Sequence, residues 1–148
     1  QLNRALRIDK FTLSSLEAVL REYYDMDKVL TALPTLSMLT EKSEAIKKRA
    51  QKLSRKVKTS IASSCECALV STNSRVGGGA MPEHGLASWA LHLAPKKLKL
   101  NQLEKKLRAL PIPIIGRIEE EKYLVDMRTI RDHELDDVAR QLIDMFSN

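Results

Sequence analysis

Three consecutive glycines, Gly77 to Gly79, sit inside NSRVGGGAMPEHGLASWALHL (Asn73 to Leu93) and leave the chain around them few options. Without Cβ atoms the backbone can take φ > 0 there and approach a neighbour closely, so regular structure stops at the run. The flanking stretches, residues 65–71 and 88–93, have β-forming composition, and Trp89, Leu91 and Leu93 alternate in the second. A phosphate cradle would need a helix opening on the glycines or a Gly-Lys-Ser/Thr ending. Ala80, Met81 and Pro82 follow instead, so the run is read as a tight strand-to-strand connection.

Helical periodicity surrounds this pair of strands. Thr12 is placed to cap a helix with Leu13, Leu16, Leu20 and Tyr23 or Tyr24 on one side, ended by Asp25 and Asp27. A short helical turn over residues 26–33 stops at Pro34. Thr40 is the next candidate cap, with Glu41 and Glu44 in the first turn and Ile46, Ala50, Leu53 and Val57 as the buried stripe. The other faces of that helix carry Lys42, Lys47, Lys48, Arg49, Lys52, Arg55, Lys56 and Lys58, with little acid to offset them. Two readings stand: a solvated helix face, or a sequence-blind track for a polynucleotide backbone in which Lys48, Lys52 and Arg55 meet phosphates.

Further on, Leu100, Leu103, Leu107 and Leu110 share one face of a helix over residues 98–110, closed off by Pro111 and Pro113. Residues 114–118 and 123–127 flank Glu119-Glu120-Glu121-Lys122 as a β-hairpin that lacks Asn-Gly. Asp132 caps a last helix using Leu135, Val138, Leu142, Ile143 and Phe146. This order predicts an α+β fold, an antiparallel or mixed sheet of about four strands with helices packed on one face, preceded by an N-terminal helix. The expected division is a linking helix and turn over residues 1–33 and an α+β domain over residues 34–148.

At 148 residues, 43% hydrophobic and 30% charged, the chain supports one ordinary core. No apolar run reaches the length of a membrane span, and the N-terminus lacks a signal-peptide layout, so a cytoplasmic protein is expected. The missing initiator Met suggests a fragment of a longer protein. A net charge of +6 and a pI near 9.4 point mildly to an anionic partner. The six aromatics are not interleaved with the basic residues, which argues against a base-stacking platform.

Conventional catalytic sets are missing. His84, His92 and His133 lack metal-ligand spacing, and Cys65 and Cys67 share one strand face as reduced thiols too few for zinc, so no metal is expected. Glu119 to Glu121 sit at a hairpin tip and have no cleft to work in. Arg4 and Arg7 are either a pair of surface arginines or two guanidiniums three residues apart that converge on one tetrahedral oxyanion. Arg117 lies in the apolar run PIIGRI, where it must point out of the sheet or find an anionic partner, and Gly116 leaves room for approach.

Taken together, RALRIDKFTLSSLEAVLREY, PTLSMLT, SRVGGGAMP followed by SWAL, and PIPIIGRI followed by LVDMRT resemble the C-terminal part of bacterial selenocysteine synthases. Those are the L-seryl-tRNA(Sec) selenium transferases. The resemblance implies the small domain of a fold-type I pyridoxal-phosphate (PLP) enzyme, working as a ring-like homo-oligomer that converts seryl-tRNA(Sec) to selenocysteinyl-tRNA(Sec) with selenophosphate. It places the cofactor lysine upstream of Gln1, so Lys10 is not that residue and the fragment alone is expected to be inactive. The family's selenium-donor arginines match Arg4 and Arg7, and Arg117 is carried only as a candidate substrate-side contact. Two alternatives remain: a related PLP-dependent lyase acting on a small amino acid or amino sugar, and a non-enzymatic RNA-binding module.

Overall fold

A computed structural model describes residues 7–76 and 81–147, residues 81–84 by their backbone alone. The chain divides into two compact units between Thr40 and Glu41.

The first unit is helical: α1 Lys10–Glu22, α2 Met26–Ala32 and α3 Pro34–Thr40. Its first cap is Asp9 rather than Thr12. The Asp9 carboxylate accepts from the backbone N–H of Phe11 (2.9 Å) and Thr12 (3.0 Å), while the Thr12 hydroxyl donates to it at 2.6 Å. A carboxylate at the positive end of the helix outcompetes a hydroxyl three residues later, and these bonds hold Asp9 below the usual carboxylate range. Asp25, expected to end α1, caps α2 by accepting from Asp27 and Lys28. Pro34 does not stop the chain's helical course, because it occupies the first position of α3, where its missing N–H costs nothing. Thr40 therefore ends a helix and donates to the Leu36 carbonyl at 2.8 Å, instead of capping the next one.

The second unit contains α4 Ser43–Ile61, β1 Cys65–Val76, β2 Met81–Pro95, α5 Leu100–Arg108, β3 Arg117–Glu119, β4 Lys122–Asp126, a 3-10 turn Asp132–Glu134 and α6 Leu135–Ser147. The sheet order is β1-β2-β4-β3 and every neighbouring pair is antiparallel, which realises the predicted α+β architecture. Strand alternation puts Cys65, Leu91, Leu93, Tyr123, Val125 and Met127 on the face that meets the helices. Ile46, Leu53 and Val57 of α4, Leu103 and Leu107 of α5, and Leu142 of α6 complete the core. The predicted stripe of α4 is buried throughout and extends to Ile61.

β1 and β2 are longer than the alternation suggested and continue as a two-stranded ribbon past Ala90, where β4 stops pairing. The glycines, Gly77 to Gly79, lie outside the described residues. At the other hairpin, Glu120 (φ 47°) and Glu121 (φ 59°) both take the left-handed conformation. This matches the demand of a two-residue turn whose twist fits the strands, met here without Asn or Gly.

Candidate functional site

The sheet face away from the helices carries the polar groups. Residues Ser74 of β1, Ser88 of β2 and Asp126 of β4 alternate away from the core, and Ala90 stands opposite Asp126 in the register. Asp126 Oδ2 accepts from Ser74 Oγ (2.6 Å) and Arg117 Nη1 (2.8 Å). Its Oδ1 accepts from Ser88 Oγ (2.7 Å) and the Arg128 backbone N–H (3.1 Å). Burial pushes this carboxyl up, but the bonds from Ser74, Arg117, Arg128 and Ser88 outweigh it and hold the group below its ordinary value.

Arg117 thus has the anionic partner that a guanidinium in an apolar run requires. Nε donates to Glu119 (3.1 Å), and Nη2 reaches Thr72 Oγ1 (2.7 Å) and the Asn73 carbonyl (3.2 Å). Four of the five guanidinium donors are engaged. Burial disfavours its charge, yet the Asp126 and Glu119 carboxylates raise its pKa overall. A cleft of about 570 Å³ opens here, lined by Asn73, Arg75, Ile115, Arg117, Asp126 and Thr129 among others. The room foreseen beside Gly116 is already filled. A Cβ on Gly116 would lie 2.6 Å from both the Leu124 carbonyl and the Tyr123 ring, whose hydroxyl accepts from the Gly116 N–H at 3.0 Å.

The network continues into the fold through Met127 and Arg128. Buried Arg49 binds Glu41 with both terminal nitrogens (2.8 and 2.6 Å) and the Met127 carbonyl through Nε (3.2 Å). The Arg128 guanidinium, also buried, donates to the Glu41 and Ala87 carbonyls. Glu41, Arg49 of α4 and Arg128 just after β4 are thereby joined in one network that also ties down the Ala87 carbonyl of β2.

The other sequence-predicted residues are dispersed. Arg4 lies outside the described residues; Arg7 is exposed just ahead of α1. Lys48 and Arg55 are exposed on α4, but the expectation of little opposing acid is corrected by α6 and the turn before it. Lys52 meets Asp132 at 3.3 Å and Lys56 meets Asp136 at 2.5 Å, because α6 packs alongside α4 with its acidic first turn at that level. Arg49 points inward, and Lys47 sits over the Trp89 ring, 4.4 Å from its centroid. Cys65 and Cys67 are free thiols, pushed by burial up to about 11 and about 12. Burial and nearby Lys122 lower the pKa of His92. Among the described residues no His, Cys, Asp and Glu cluster could hold a metal, and no helix is long and apolar enough to cross a membrane.

Asp126, Ser74, Ser88 and Arg128 had not been singled out from the sequence. The available signal was alternation: with Tyr123, Val125 and Met127 inward, Asp126 must share the outer face with Arg117 on the adjoining hairpin strand.

The sequence model of the L-seryl-tRNA selenium transferase family matches residues 1–131. The chain is 49% identical over 145 residues to the L-seryl-tRNA(Sec) selenium transferase of Desulfotalea psychrophila, covering 98% of this chain and 31% of that protein. It is 44% identical over 141 residues to the enzyme of that name from Carboxydothermus hydrogenoformans and 40% over 139 residues to that of Desulfomicrobium baculatum. In those two, 95% and 94% of this chain match 30% of the relative. The chain thus spans about three-tenths of the length of these relatives, and by a match over nearly all its own residues it belongs to the L-seryl-tRNA selenium transferase family.

Proposed function

We propose that this chain is the C-terminal domain of a cytoplasmic, homo-oligomeric selenium transferase that converts L-seryl-tRNA(Sec) to L-selenocysteinyl-tRNA(Sec) with selenophosphate. The observation that carries the reading is the 49% identity sustained over 145 residues. PLP would supply the chemistry at the seryl carbon in the whole enzyme. The cleft beside Arg117 does not fit that cofactor, since no lysine amine lines it to form a Schiff base. The cofactor is therefore assigned to other parts of the protein.

Within this reading, Arg4 and Arg7 hold the selenium donor. Two guanidiniums three residues apart present paired donors to tetrahedral oxyanions, supplying proximity and charge neutralisation without moving a proton. Arg117 is the candidate substrate-side contact. Its charge is already matched by Asp126 and Glu119, so an incoming anion gains a site only by displacing Glu119, the more exposed of the two carboxylates.

The test uses the complete gene product, purified with its cofactor and supplied with seryl-tRNA(Sec) and labelled selenophosphate. An Arg4→Ala, Arg7→Ala variant should keep cofactor absorbance and lose selenium transfer by at least about a hundredfold, given roughly 1.5–3 kcal/mol per charged hydrogen bond removed. Transfer at the parental rate would remove the two arginines from the donor site. Elimination from a free small amino acid, with seryl-tRNA(Sec) left untouched, would replace the whole reading by the lyase alternative.

A further inference from the structure

The positive charge of the molecule is not confined to α4. Residues 96–108, KKLKLNQLEKKLR, hold six cations and one carboxylate, a formal +5 within a chain whose net charge is +6. That carboxylate, Glu104, is occupied by Arg108 at 3.0 Å, one helical turn away. By contrast α4 has Arg49 buried on Glu41 and has Lys52 and Lys56 offset by Asp132 and Asp136. Packing against α6 has offset part of the charge of α4, which keeps Lys48, Arg55 and Lys58 exposed, whereas among the described residues no acid from another element pairs with the lysines of α5.

α5 is oriented to display this charge. Leu103 and Leu107 are fully buried, which fixes the inward side of the helix. Lys99, Gln102 and Lys106 follow one another at i, i+3 and i+7 along one flank, and Lys105 projects from the outer side. At 1.5 Å per residue, Lys99 and Lys106 stand about 10 Å apart along the axis. Lys96 is held in place just before the helix, its backbone N–H bound to the Ser64 carbonyl (2.9 Å) and its Nζ to the Ala62 carbonyl (2.8 Å). This brings the last turn of α4, with Lys58, to the same end of the sheet. Glu66 and the hairpin acids Glu120 and Glu121 reach that end too, yet among the described residues none lies within ion-pair distance of Lys97, Lys99, Lys105 or Lys106.

We infer that the surface formed by the β2–α5 turn and the outer flank of α5 is a docking site for the sugar-phosphate backbone of RNA. Lys97, Lys99, Lys105 and Lys106 are its contacts. The inference rests on the tRNA reading above and gives it a place on this chain different from Lys48, Lys52 and Arg55. Unpaired lysines on a rigid helix suit phosphate because the contacts need charge density and not a fixed hydrogen-bond pattern. Binding here steadies the nucleic acid without reading its bases.

The experiment measures binding of tRNA(Sec) transcript to the complete protein over a series of salt concentrations. A Lys97→Gln, Lys105→Gln, Lys106→Gln variant should weaken binding at least about tenfold near physiological salt and flatten the log K against log salt slope by about 2 to 3. An unchanged melting temperature would show that the exposed substitutions leave the fold intact. A Lys48→Gln, Lys52→Gln, Arg55→Gln variant should change neither quantity by more than about twofold. If the α5 variant binds as the parent does, or the α4 variant alone loses affinity, the assignment to α5 is overturned while the tRNA reading stands. If the parent protein binds no tRNA at low salt, both fall.

Discussion

Asp126 shows how much of this site depends on one side chain. Four donors converge on its two oxygens, so replacing it by Asn leaves Arg117 with a partly buried, half-matched charge and forces an amide N–H toward a hydroxyl or a guanidinium. Losing a hydrogen bond to a charged group costs about 1.5–3 kcal/mol, and Asp126→Asn should show a loss of that size in denaturant unfolding. The pH dependence has a definite sign. Because the folded carboxyl sits below an unfolded value near 3.9, its contribution is complete above about pH 5 and is lost as pH falls through the folded value. The parent should therefore lose stability in acid more steeply than the Asn variant; equal acid slopes would mean that the network does not hold the charge. Gly116 gives a second test, since a methyl placed 2.6 Å from a carbonyl and from the Tyr123 ring must push β3 away from β4. Gly116→Ala should cost about 1–3 kcal/mol in the same assay. From the sequence this glycine looked like open space beside Arg117. What it accommodates is a buried tyrosine seven residues later, a contact that only the hairpin register reveals.

Among the elements, the β3–β4 hairpin carries the clearest local conflict. Glu120 and Glu121 both hold positive φ, which costs an L-residue roughly 1 kcal/mol each, and their like charges add repulsion. Glu120→Asn with Glu121→Gly should raise stability by about 1–2 kcal/mol, read as a shift of the denaturation midpoint at constant m. No gain would mean that the turn's strain is relieved elsewhere. The hairpin itself was legible in the sequence because two apolar runs bracket four charged residues. Likewise α4 and α5 were legible, their apolar residues recurring with helical period and burying as a stripe. Helix starts were read less well, since Thr12 and Thr40 are both acceptable caps in isolation and only competition with neighbours such as Asp9 decides. The ribbon ends of β1 and β2 were missed for a different reason. Ser, Thr, Asn and Gly offer no alternation to read, and pairing along the partner strand sets their conformation. The Arg117 site was half legible: the need for an anion followed from PIIGRI and Asp126 lies on the adjoining hairpin strand, but the two serines come from strands that are far from it in sequence.

Taken as a whole, the molecule concentrates its stability in one unit. The core cluster runs from Ile46 to Phe146 and draws no member from the first forty residues, where Val29 is the buried hydrophobic among the described residues. α1 keeps Leu13, Leu16 and Leu20 about half exposed and Phe11 almost fully so, as is Tyr24 just after it. A thirteen-residue helix without buried contacts is marginal in water, because nucleation must be offset by few hydrogen bonds and one cap. Hydrogen exchange measures this difference directly, as each amide reports the free energy of the opening that exposes it. In this chain, α4 amides at Ala50, Leu53 and Val57 should exchange only on global unfolding. Those of α1 should exchange by local opening, at least about a hundredfold faster, a gap of some 3 kcal/mol. Protection of α1 equal to that of α4, and rising with protein concentration, would show instead that a second copy of the chain covers its apolar side. Equal protection independent of concentration would overturn the expectation that α1 opens locally.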